Sequence, residues 1–246
     1  MNNLYVFDVD GVLCDRGQII DPTFKTWFSQ WITNKQFSFL TGSSREKTIE
    51  QLGSDLVEKC YISYHCMGNN VWINSREISI NQFILKKEEY EFLQNYVDKH
   101  PFPIKTGNHI DVRNGSINFS LIGRNAEQQQ RDFYTRFDGL SKDRLSFIKK
   151  FCLEFPRFEA YLGGDVSVDI CLLGCNKSQI LEYCLPYDKF YFFGDRGYPY
   201  GIDYPLSKYL TGRTLDQVKE NNLNYQMMYF QIDNGYQQTW ELLKNL

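Results

Sequence analysis

Two carboxylates stand two positions apart near the amino end of the sequence, in the run Phe7-Asp8-Val9-Asp10-Gly11. Side chains at i and i+2 of an extended backbone lie on the same side, and the glycine permits a turn directly after them. One carboxylate can attack a phosphorus atom while the other moves a proton, and a divalent cation would offset the repulsion between these groups and a phosphate. The run alone fits equally well a polar strand exit or a calcium-binding turn.

Three later segments carry side chains that suit the same chemistry. Thr41-Gly42-Ser43 offers a hydroxyl and backbone N–H groups to phosphate oxygens. Lys177 offers an ammonium that would neutralise the phosphate and the attacking carboxylate together, and Asp195 and Asp203 are candidate metal ligands. Each segment has a structural alternative, namely a helix cap, a solvated lysine or a turn aspartate. Their order along the chain favours a phosphoryl-transfer site.

The elements that would position these groups alternate between strand and helix. An apolar run ending at Phe7 predicts a buried parallel strand, and apolar residues spaced i, i+3, i+4, i+7 predict a helix from Pro22 to Trp31, capped by Asp21. The same patterns predict a strand at 37–40, a helix at 45–59 and a strand at 189–193. Alternating strands and helices are typical of α/β architecture.

The middle of the chain has a different character. Asn114-Gly115 separates two short apolar-alternating runs and predicts a hairpin turn. Helices are predicted on both sides of this hairpin, which indicates an antiparallel α+β module. We therefore expect residues 1–77 and 174–246 to form the α/β core and residues 78–173 to form an inserted cap.

Three arginines lie in that module, at Arg113, Arg124 and Arg131. The guanidinium group stays charged and forms bidentate hydrogen bonds, which makes arginine suited to a phosphate. The arginines are therefore candidate ligands of a second phosphate. The alternative is that they form weak surface ion pairs with acidic residues.

Composition restricts the partners. The chain has 246 residues, of which 42% are hydrophobic and 16% aromatic, and 27 basic against 30 acidic residues give a net charge of -3. No overall positive field favours nucleic acid or an anionic membrane. The seven cysteines, an odd number without a CxxC pair, are expected to be reduced and packed. With no signal segment and no apolar run of spanning length, we expect a cytoplasmic protein.

The four chemical segments, in this order, resemble the four motifs of the haloacid dehalogenase superfamily, and the middle block resembles the larger type of cap in that superfamily. The closer resemblance is to the eukaryotic-type phosphomannomutases. It covers nearly the whole chain and rests on the segments FDVDG, EKTIEQLGSDLVEK, RNGSINFSLIGR, GGDVSVDI and YFFGD. The arginine-bearing segment is the specific part, because sugar phosphatases of the superfamily share the four motifs without this arginine set.

The resemblance implies a haloacid dehalogenase-like, doubly wound α/β core with an inserted α+β cap. It implies that Asp8 is phosphorylated by a hexose 1,6-bisphosphate activator and that Asp10 is the general acid and base. Mg²⁺ would be held by the Asp8 carboxylate, the Asp10 backbone carbonyl and Asp195. The other implied site residues are Ser43 and Lys177 at the reacting phosphate and, for the distal phosphate and sugar hydroxyls, Arg113, Arg124, Arg131, Ser167 and Asp169.

The function implied by the resemblance is the interconversion of mannose 6-phosphate and mannose 1-phosphate by a homodimer formed through the cap. A sugar phosphatase of the same superfamily is the first alternative, and a non-catalytic sugar-phosphate-binding protein is the second. The sequence departs from the family at Val12, where threonine is usual, and at Ile202, where asparagine is usual. The arginine after the first motif is displaced by one position, to Arg16.

Overall fold

Two β-sheets organise residues 3–183, 187–210 and 226–246, which are the residues described by this computed structural model. The strands of the larger sheet are β1 (Asn3–Phe7), β2 (Gln36–Leu40), β3 (Ile62–His65), β4 (Asn70–Ile73), β5 (Arg76–Ile80), β10 (Lys189–Gly194) and β11 (Gln226–Gln231). Those of the smaller sheet are β6 (Ile110–Arg113), β7 (Ser116–Phe119), β8 (Phe158–Leu162) and β9 (Val168–Leu172).

Helices cover or flank both sheets. They are α1 (Pro22–Trp31), α2 (Arg45–Leu52), α3 (Ser54–Val57), α4 (Lys87–Lys99), α5 (Gln128–Ser141), α6 (Asp143–Glu154), α7 (Tyr204–Leu210) and α8 (Gly235–Lys244). Two 3₁₀ segments span Cys66–Gly68 and Lys177–Tyr183. Among the described residues, no helix has the length and apolar character needed to cross a membrane.

The larger sheet has the strand order β11-β10-β1-β2-β3-β4-β5. Its first five strands in this order run parallel, and β4 and β5 add an antiparallel hairpin. The carboxyl ends of β1, β2 and β10 therefore meet at one edge of the sheet, which is where α/β proteins bind their ligands. This arrangement confirms the predicted α/β class.

The smaller sheet is antiparallel, with the order β6-β7-β9-β8. It contains the predicted hairpin, in which Gly115 adopts φ 69° at the turn. The predicted domain limit at residue 77 falls inside β5, which ends at Ile80. We keep the term cap for residues 78–173 and core for the remainder, and this division stays a prediction.

Helix α1 forms as its sequence predicts. Asp21 Oδ1 accepts a hydrogen bond from Phe24 N at 2.9 Å, and Pro22 occupies the first turn. The predicted helix over 45–59 is interrupted, because α2 ends at Leu52. Gly53 then takes φ 87° and ψ 146°, a conformation that breaks the helix, and α3 begins at the next residue.

Aromatic rings fill the core on the α1 side of the large sheet. The Phe7 ring stacks on Phe193 with centroids 4.8 Å apart and meets Phe28 edge-on at 5.2 Å. Phe193 in turn stacks on Phe230. The alternate residues of β1 pack on the other face, against α7. Both faces of β1 are therefore buried, as expected for a central parallel strand.

Three of the four tryptophans lie close together beside this aromatic core. Trp27 contacts Trp31 and Trp240, with ring centroids 6.4 and 5.7 Å apart. The fourth, Trp72, lies under the guanidinium of Arg45, whose Cζ is 4.5 Å from the ring centroid. All four tryptophans therefore belong to the core as defined above.

A buried carboxylate joins the three cap helices. Asp143 Oδ1 accepts from the Tyr96 hydroxyl at 2.8 Å and lies 2.9 Å from His100 Nε2, while Oδ2 accepts from the Tyr134 hydroxyl at 2.7 Å. Burial and the negative charge of Asp143 raise the pKa of Tyr134 above its ordinary value. The hydroxyl therefore stays protonated and donates to the carboxylate.

The hydroxyl of Tyr134 is expected to stabilise the cap measurably. Tyr134→Phe should lower the free energy of unfolding by roughly 1.5–3 kcal/mol, the usual contribution of a hydrogen bond to a charged group. Urea unfolding followed by circular dichroism measures this change. Tyr90→Phe, at a ring that is 47% exposed on α4, is the matched control and should leave stability unchanged. Equal effects of the two substitutions would contradict the prediction.

Candidate active site

Asp8 follows β1 directly and is 5% exposed. Its Oδ1 accepts a hydrogen bond from Val9 N at 2.7 Å, and its Oδ2 accepts from Lys177 Nζ at 2.6 Å. Burial, opposed by the charge of Lys177, raises the pKa of Asp8 well above its usual value. The predicted nucleophile is thus held between a backbone amide and a buried ammonium.

Lys177 is fully buried and bridges two carboxylates. Its Nζ lies 2.6 Å from Asp8 Oδ2 and 2.6 Å from Asp203 Oδ1. Burial alone would lower the pKa of Lys177, but the charges of Asp203 and Asp8 outweigh it and raise that pKa. The lysine is therefore a permanent cation behind the nucleophile. Asp203 also accepts from Arg196 N at 2.9 Å, which orients it.

Asp8, Asp195 and Asp203 form a carboxylate cluster, with one oxygen of each within 4.8 Å of the others. Carboxylate oxygens are the ligands that Mg²⁺ takes in proteins, so this donor set fits magnesium. The backbone leaves room for the cluster at Gly11, where φ is 77° and an added Cβ would lie 2.6 Å from Asp195 Oδ2. Burial raises the pKa of Asp195, so a cation there would also favour its charged form.

The side chain of Asp10 lies apart from that cluster. Its Oδ1 accepts from Gly17 N at 2.7 Å and from Gln51 Nε2 at 2.8 Å. These two donors fix the position of the carboxylate, and Asp10 lines the cavity. Gln51 is buried on α2 and was not predicted as a site residue, because one glutamine on a helix carries no distinctive pattern.

The loop after β2 forms the next part of the wall. Ser43 N donates to Thr41 Oγ1 at 3.1 Å, and Ser44 begins α2 by accepting from Lys47 N. Gly42 passes close to the side chain of Ile202, since an added Cβ would lie 2.8 Å from Ile202 Cδ1. The close passage at Gly42 keeps Ser43 at the cavity surface.

Arg113, at the end of β6, contacts this loop, and Arg124 lines the same cavity from the segment after β7. Arg113 Nη1 donates to Gly42 O at 3.0 Å, and its Nε donates to Asp111 Oδ2 at 2.9 Å. Arg124 Nη1 donates to Asn118 Oδ1 at 2.8 Å and pairs with Asp111 at 3.2 Å. Burial and the charge of Arg113 lower the pKa of Arg124, the pattern expected where cations crowd around an anion site.

Asp169 and Ser167 complete the cap wall. Asp169 Oδ1 accepts from Asn118 Nδ2 at 2.8 Å, and Ser167 Oγ accepts from Gly164 N at 3.2 Å. Arg131 lies beyond them, with its Nε and Nη2 donating to the carbonyls of Ala126 and Arg124. Both of these partners of Arg131 are neutral backbone carbonyls, so neither of them neutralises its charge.

One cavity of about 470 Å³ lies between the carboxylate cluster and the cap arginines. This volume is in the range of small-molecule sites. Nine of the ten predicted site residues line it, and the tenth, Lys177, lies behind Asp8. The nine are Asp8, Asp10, Ser43, Arg113, Arg124, Arg131, Ser167, Asp169 and Asp195.

Several cavity residues were not predicted as site residues, and four of the charged ones bear on the site. Asp111 stands two positions before Arg113 in a strand, so period-two alternation was a usable signal for it. Arg16 and Arg196 each form an ion pair with Asp165 at the cavity. No local pattern predicts these pairs, because the three residues lie far apart in the sequence.

The structural comparison defines the class. The C-terminal domain of trehalose-6-phosphate phosphatase from Candida albicans superposes with a TM-score of 0.64 at 13% identity, over 100% of this chain and 92% of that one. At this identity the likeness establishes the fold alone. The fold, with a parallel sheet, a carboxylate at the end of β1 and a second, antiparallel sheet, is of the haloacid dehalogenase type. Proteins of this superfamily generally depend on Mg²⁺.

The sequence comparisons define the family. The profile described as eukaryotic phosphomannomutase matches residues 25–226. Phosphomannomutase 1 of Dictyostelium discoideum is 31% identical over 221 residues, which cover 84% of this chain and 87% of that protein. A probable phosphomannomutase of Caenorhabditis elegans is 27% identical, over 94% and 96% of the two chains. The chain belongs to the eukaryotic phosphomannomutase family.

Removing the buried ammonium should destabilise the protein in a pH-dependent way. Lys177→Met leaves the carboxylates of Asp8 and Asp203 buried without their partner, which should cost roughly 3–5 kcal/mol of unfolding free energy near neutral pH. Without the ammonium, the pKa of Asp8 rises further in the folded state. The folded protein then binds more protons than the unfolded chain, so its stability falls as pH rises.

Urea unfolding at pH 5.5 and pH 7.5, without added divalent cation, measures this effect. The stability deficit of Lys177→Met should be larger at the higher pH. The control is Lys25→Met, which breaks the surface pair between Lys25 and Asp55 and should change stability by at most about 1 kcal/mol. A deficit that is the same at both pH values would argue against the charge explanation.

Proposed function

We propose that the protein is a phosphomannomutase that interconverts mannose 6-phosphate and mannose 1-phosphate through phosphorylated Asp8 and a hexose 1,6-bisphosphate activator. The observation that supports this most directly is the distribution of charge around one cavity. A buried carboxylate with its ammonium lies on one wall, and three arginines lie on the opposite wall. A ligand with a phosphate at each end matches both walls at once.

In the proposed reaction a phosphoryl group moves between Asp8 and a sugar oxygen. When a sugar hydroxyl attacks the phosphorus of phosphorylated Asp8, a new P–O bond forms and the bond to the Asp8 oxygen breaks. The hydroxyl proton passes to Asp10, which is held toward the cavity by Gly17 and Gln51. In the reverse step Asp10 returns a proton to the leaving sugar oxygen.

Lys177 and Ser43 would stabilise the reacting phosphoryl group. The ammonium lies 2.6 Å from the Asp8 oxygen and cannot be deprotonated at neutral pH, because its two carboxylates raise its pKa. Ser43 lines the cavity and offers its hydroxyl. We propose that Mg²⁺ is held by the carboxylates of Asp8 and Asp195 and the backbone carbonyl of Asp10. When bound, the ion offsets repulsion between these carboxylates and the phosphate.

The cap arginines would hold the phosphate that does not react. Arg113, Arg124 and Arg131 line the cavity, and their own partners are largely carbonyls, an amide and Asp111. Ser167 and Asp169 would contact the sugar hydroxyls. For the bisphosphate to turn round between the two half-reactions, the arginines must accept the phosphate of either end. Bidentate guanidinium contacts to phosphate oxygens meet that requirement, since they do not depend on the carbon that bears the phosphate.

A homodimer formed through the cap and a cytoplasmic location belong to the same proposal. Phe133 and Leu140, seven positions apart on α5, share one helix face and are 50% and 89% exposed. Such an apolar face is typical of an interaction surface. The described cysteines are free thiols, which suits a reducing compartment, and Cys184 lies outside the described residues. Sedimentation of Leu140→Glu should show a shift toward monomer if this face forms the dimer.

The nature of the reaction is tested by measuring two products together. The protein is incubated with Mg²⁺, mannose 1-phosphate and a trace of hexose 1,6-bisphosphate, and both mannose 6-phosphate and free phosphate are quantified. We expect isomer as the main product. Asp8→Asn should abolish its formation, because an amide is a poor nucleophile. Free phosphate without isomer would instead identify a sugar phosphatase.

The cap site is tested by one arginine and a matched control. Arg124→Ala should raise KM roughly ten- to hundred-fold, the effect of losing a hydrogen bond to a charged group worth roughly 1.5–3 kcal/mol. Arg136→Ala, at an exposed arginine on α5, should leave KM unchanged. An unchanged KM for Arg124→Ala would refute the assignment of the distal phosphate to the cap.

A further inference from the structure

Asp165 lies on the cap, in the loop between β8 and β9, yet its partners belong to the core. Its Oδ1 accepts from Arg16 Nη1 at 2.8 Å and from Arg196 Nη2 at 2.9 Å. Arg16 lies in the loop between β1 and α1, and Arg196 lies in the loop after β10. One carboxylate oxygen therefore ties the cap to both core loops that carry the catalytic carboxylates.

The same two arginines contact the carboxylate cluster. Arg16 Nη2 donates to Asp195 Oδ2, and Arg196 Nε lies 3.9 Å from the same oxygen. Arg196 is buried, with 8% of its side chain exposed, so its charge requires a partner. Asp165 supplies a carboxylate from the cap at 2.9 Å, nearer than Asp195 of the core. Seating the cap therefore brings Arg196 the nearer of these two carboxylate partners.

A backbone contact beside Asp165 reinforces the junction. Leu162 N, at the end of β8, donates to Tyr200 O at 2.7 Å, and Ile202 N donates to Leu162 O at 3.2 Å. Tyr200 adopts φ 68°, which is unusual for a residue other than glycine and indicates a locally strained loop. The strained loop leads directly into Asp203, which binds Lys177.

The strength of the Asp165 contact is suited to repeated opening. The Asp165 side chain is 45% exposed and that of Arg16 is 37% exposed, so water and salt screen their attraction. A deeply buried pair would hold the cavity shut and prevent exchange of the sugar. The solvent-screened contacts of Asp165 with Arg16 and with the buried Arg196 hold the cap against the core and are weak enough to break when the cap opens.

We propose that Asp165 is a positioning residue that seats the cap on the core through Arg16 and Arg196, and thereby limits the access of water to phosphorylated Asp8. The inference rests on the proposed function, because it concerns the choice between two acceptors of the same phosphoryl group. If water attacks, a P–O bond to water forms, the bond to Asp8 breaks, one water proton passes to Asp10 and inorganic phosphate leaves. Cap closure favours the sugar hydroxyl over this reaction.

The test compares Asp165→Asn with the wild-type protein in the two-product assay. The ratio of free phosphate to isomer should rise roughly five-fold, an effect at the upper end for an ion pair of this exposure. Added NaCl should raise the same ratio in the wild-type protein and change it less in Asp165→Asn, because the screened pair is already absent. Asp98→Asn, at an exposed cap carboxylate on α4, is the charge-matched control and should behave as the wild type.

Further variants separate positioning from folding. Asp165→Glu keeps the carboxylate, so its phosphate-to-isomer ratio should lie between those of the wild type and Asp165→Asn. Arg196→Gln alone should raise the ratio. Combining Arg196→Gln with Asp165→Asn should raise it no further, because both substitutions break the same contact. Thermal unfolding of each variant shows whether it is folded. A ratio unchanged in folded Asp165→Asn and in folded Arg196→Gln would overturn the inference. If the wild-type protein makes no isomer, it is the proposed mutase function that fails. In that case the positioning role of Asp165 predicts a higher KM for phosphate release in Asp165→Asn than in the wild type.

Discussion

The ammonium of Lys177 is the interaction on which the site depends. A fully buried cation is tolerated only where carboxylates compensate the loss of its hydration. Asp8 and Asp203 provide that compensation at 2.6 Å each. Asp8 follows β1 directly, and Asp203 lies between β10 and α7. The strand order, with β10 beside β1, is what brings the two together. The charge balance that stabilises this corner of the fold also fixes the Asp8 carboxylate at the cavity.

The cavity groups charges that composition averages away. A net charge of -3 does not by itself indicate an anion-binding protein. Asp8, Asp10 and Asp195 nevertheless line the cavity from the core, and Arg113, Arg124 and Arg131 line it from the cap. A doubly phosphorylated sugar would be attracted by the arginines at one end and by Lys177 at the other. Opposed walls of this kind favour a ligand of fixed length, because both contacts must form together.

The sequence predicted those features that depend on local pattern. The strand ending at Phe7, helix α1 and the carboxylates of Asp8, Asp10 and Asp195 follow from periodicity and from residues placed after strands. The break at Gly53 and the hairpin of β4 and β5 were not predicted. That hairpin turns at Asn74-Ser75 with positive φ, a weaker signal than Asn-Gly. The contacts of Asp165 were not predictable from local pattern, because its partners Arg16 and Arg196 lie 149 and 31 positions away in the sequence.

The placement of the tryptophans gives the two parts of the molecule different optical signatures. Trp27, Trp31 and Trp240 lie beside the large sheet, and Trp72 lies on β4, the strand next to the β5 edge of the same sheet. The cap contains tyrosine and phenylalanine but no tryptophan. Emission excited at the red edge of the absorption band therefore reports on one part alone. A single tryptophan introduced on the smaller sheet would make the cap separately visible, with the native indoles serving as an internal reference.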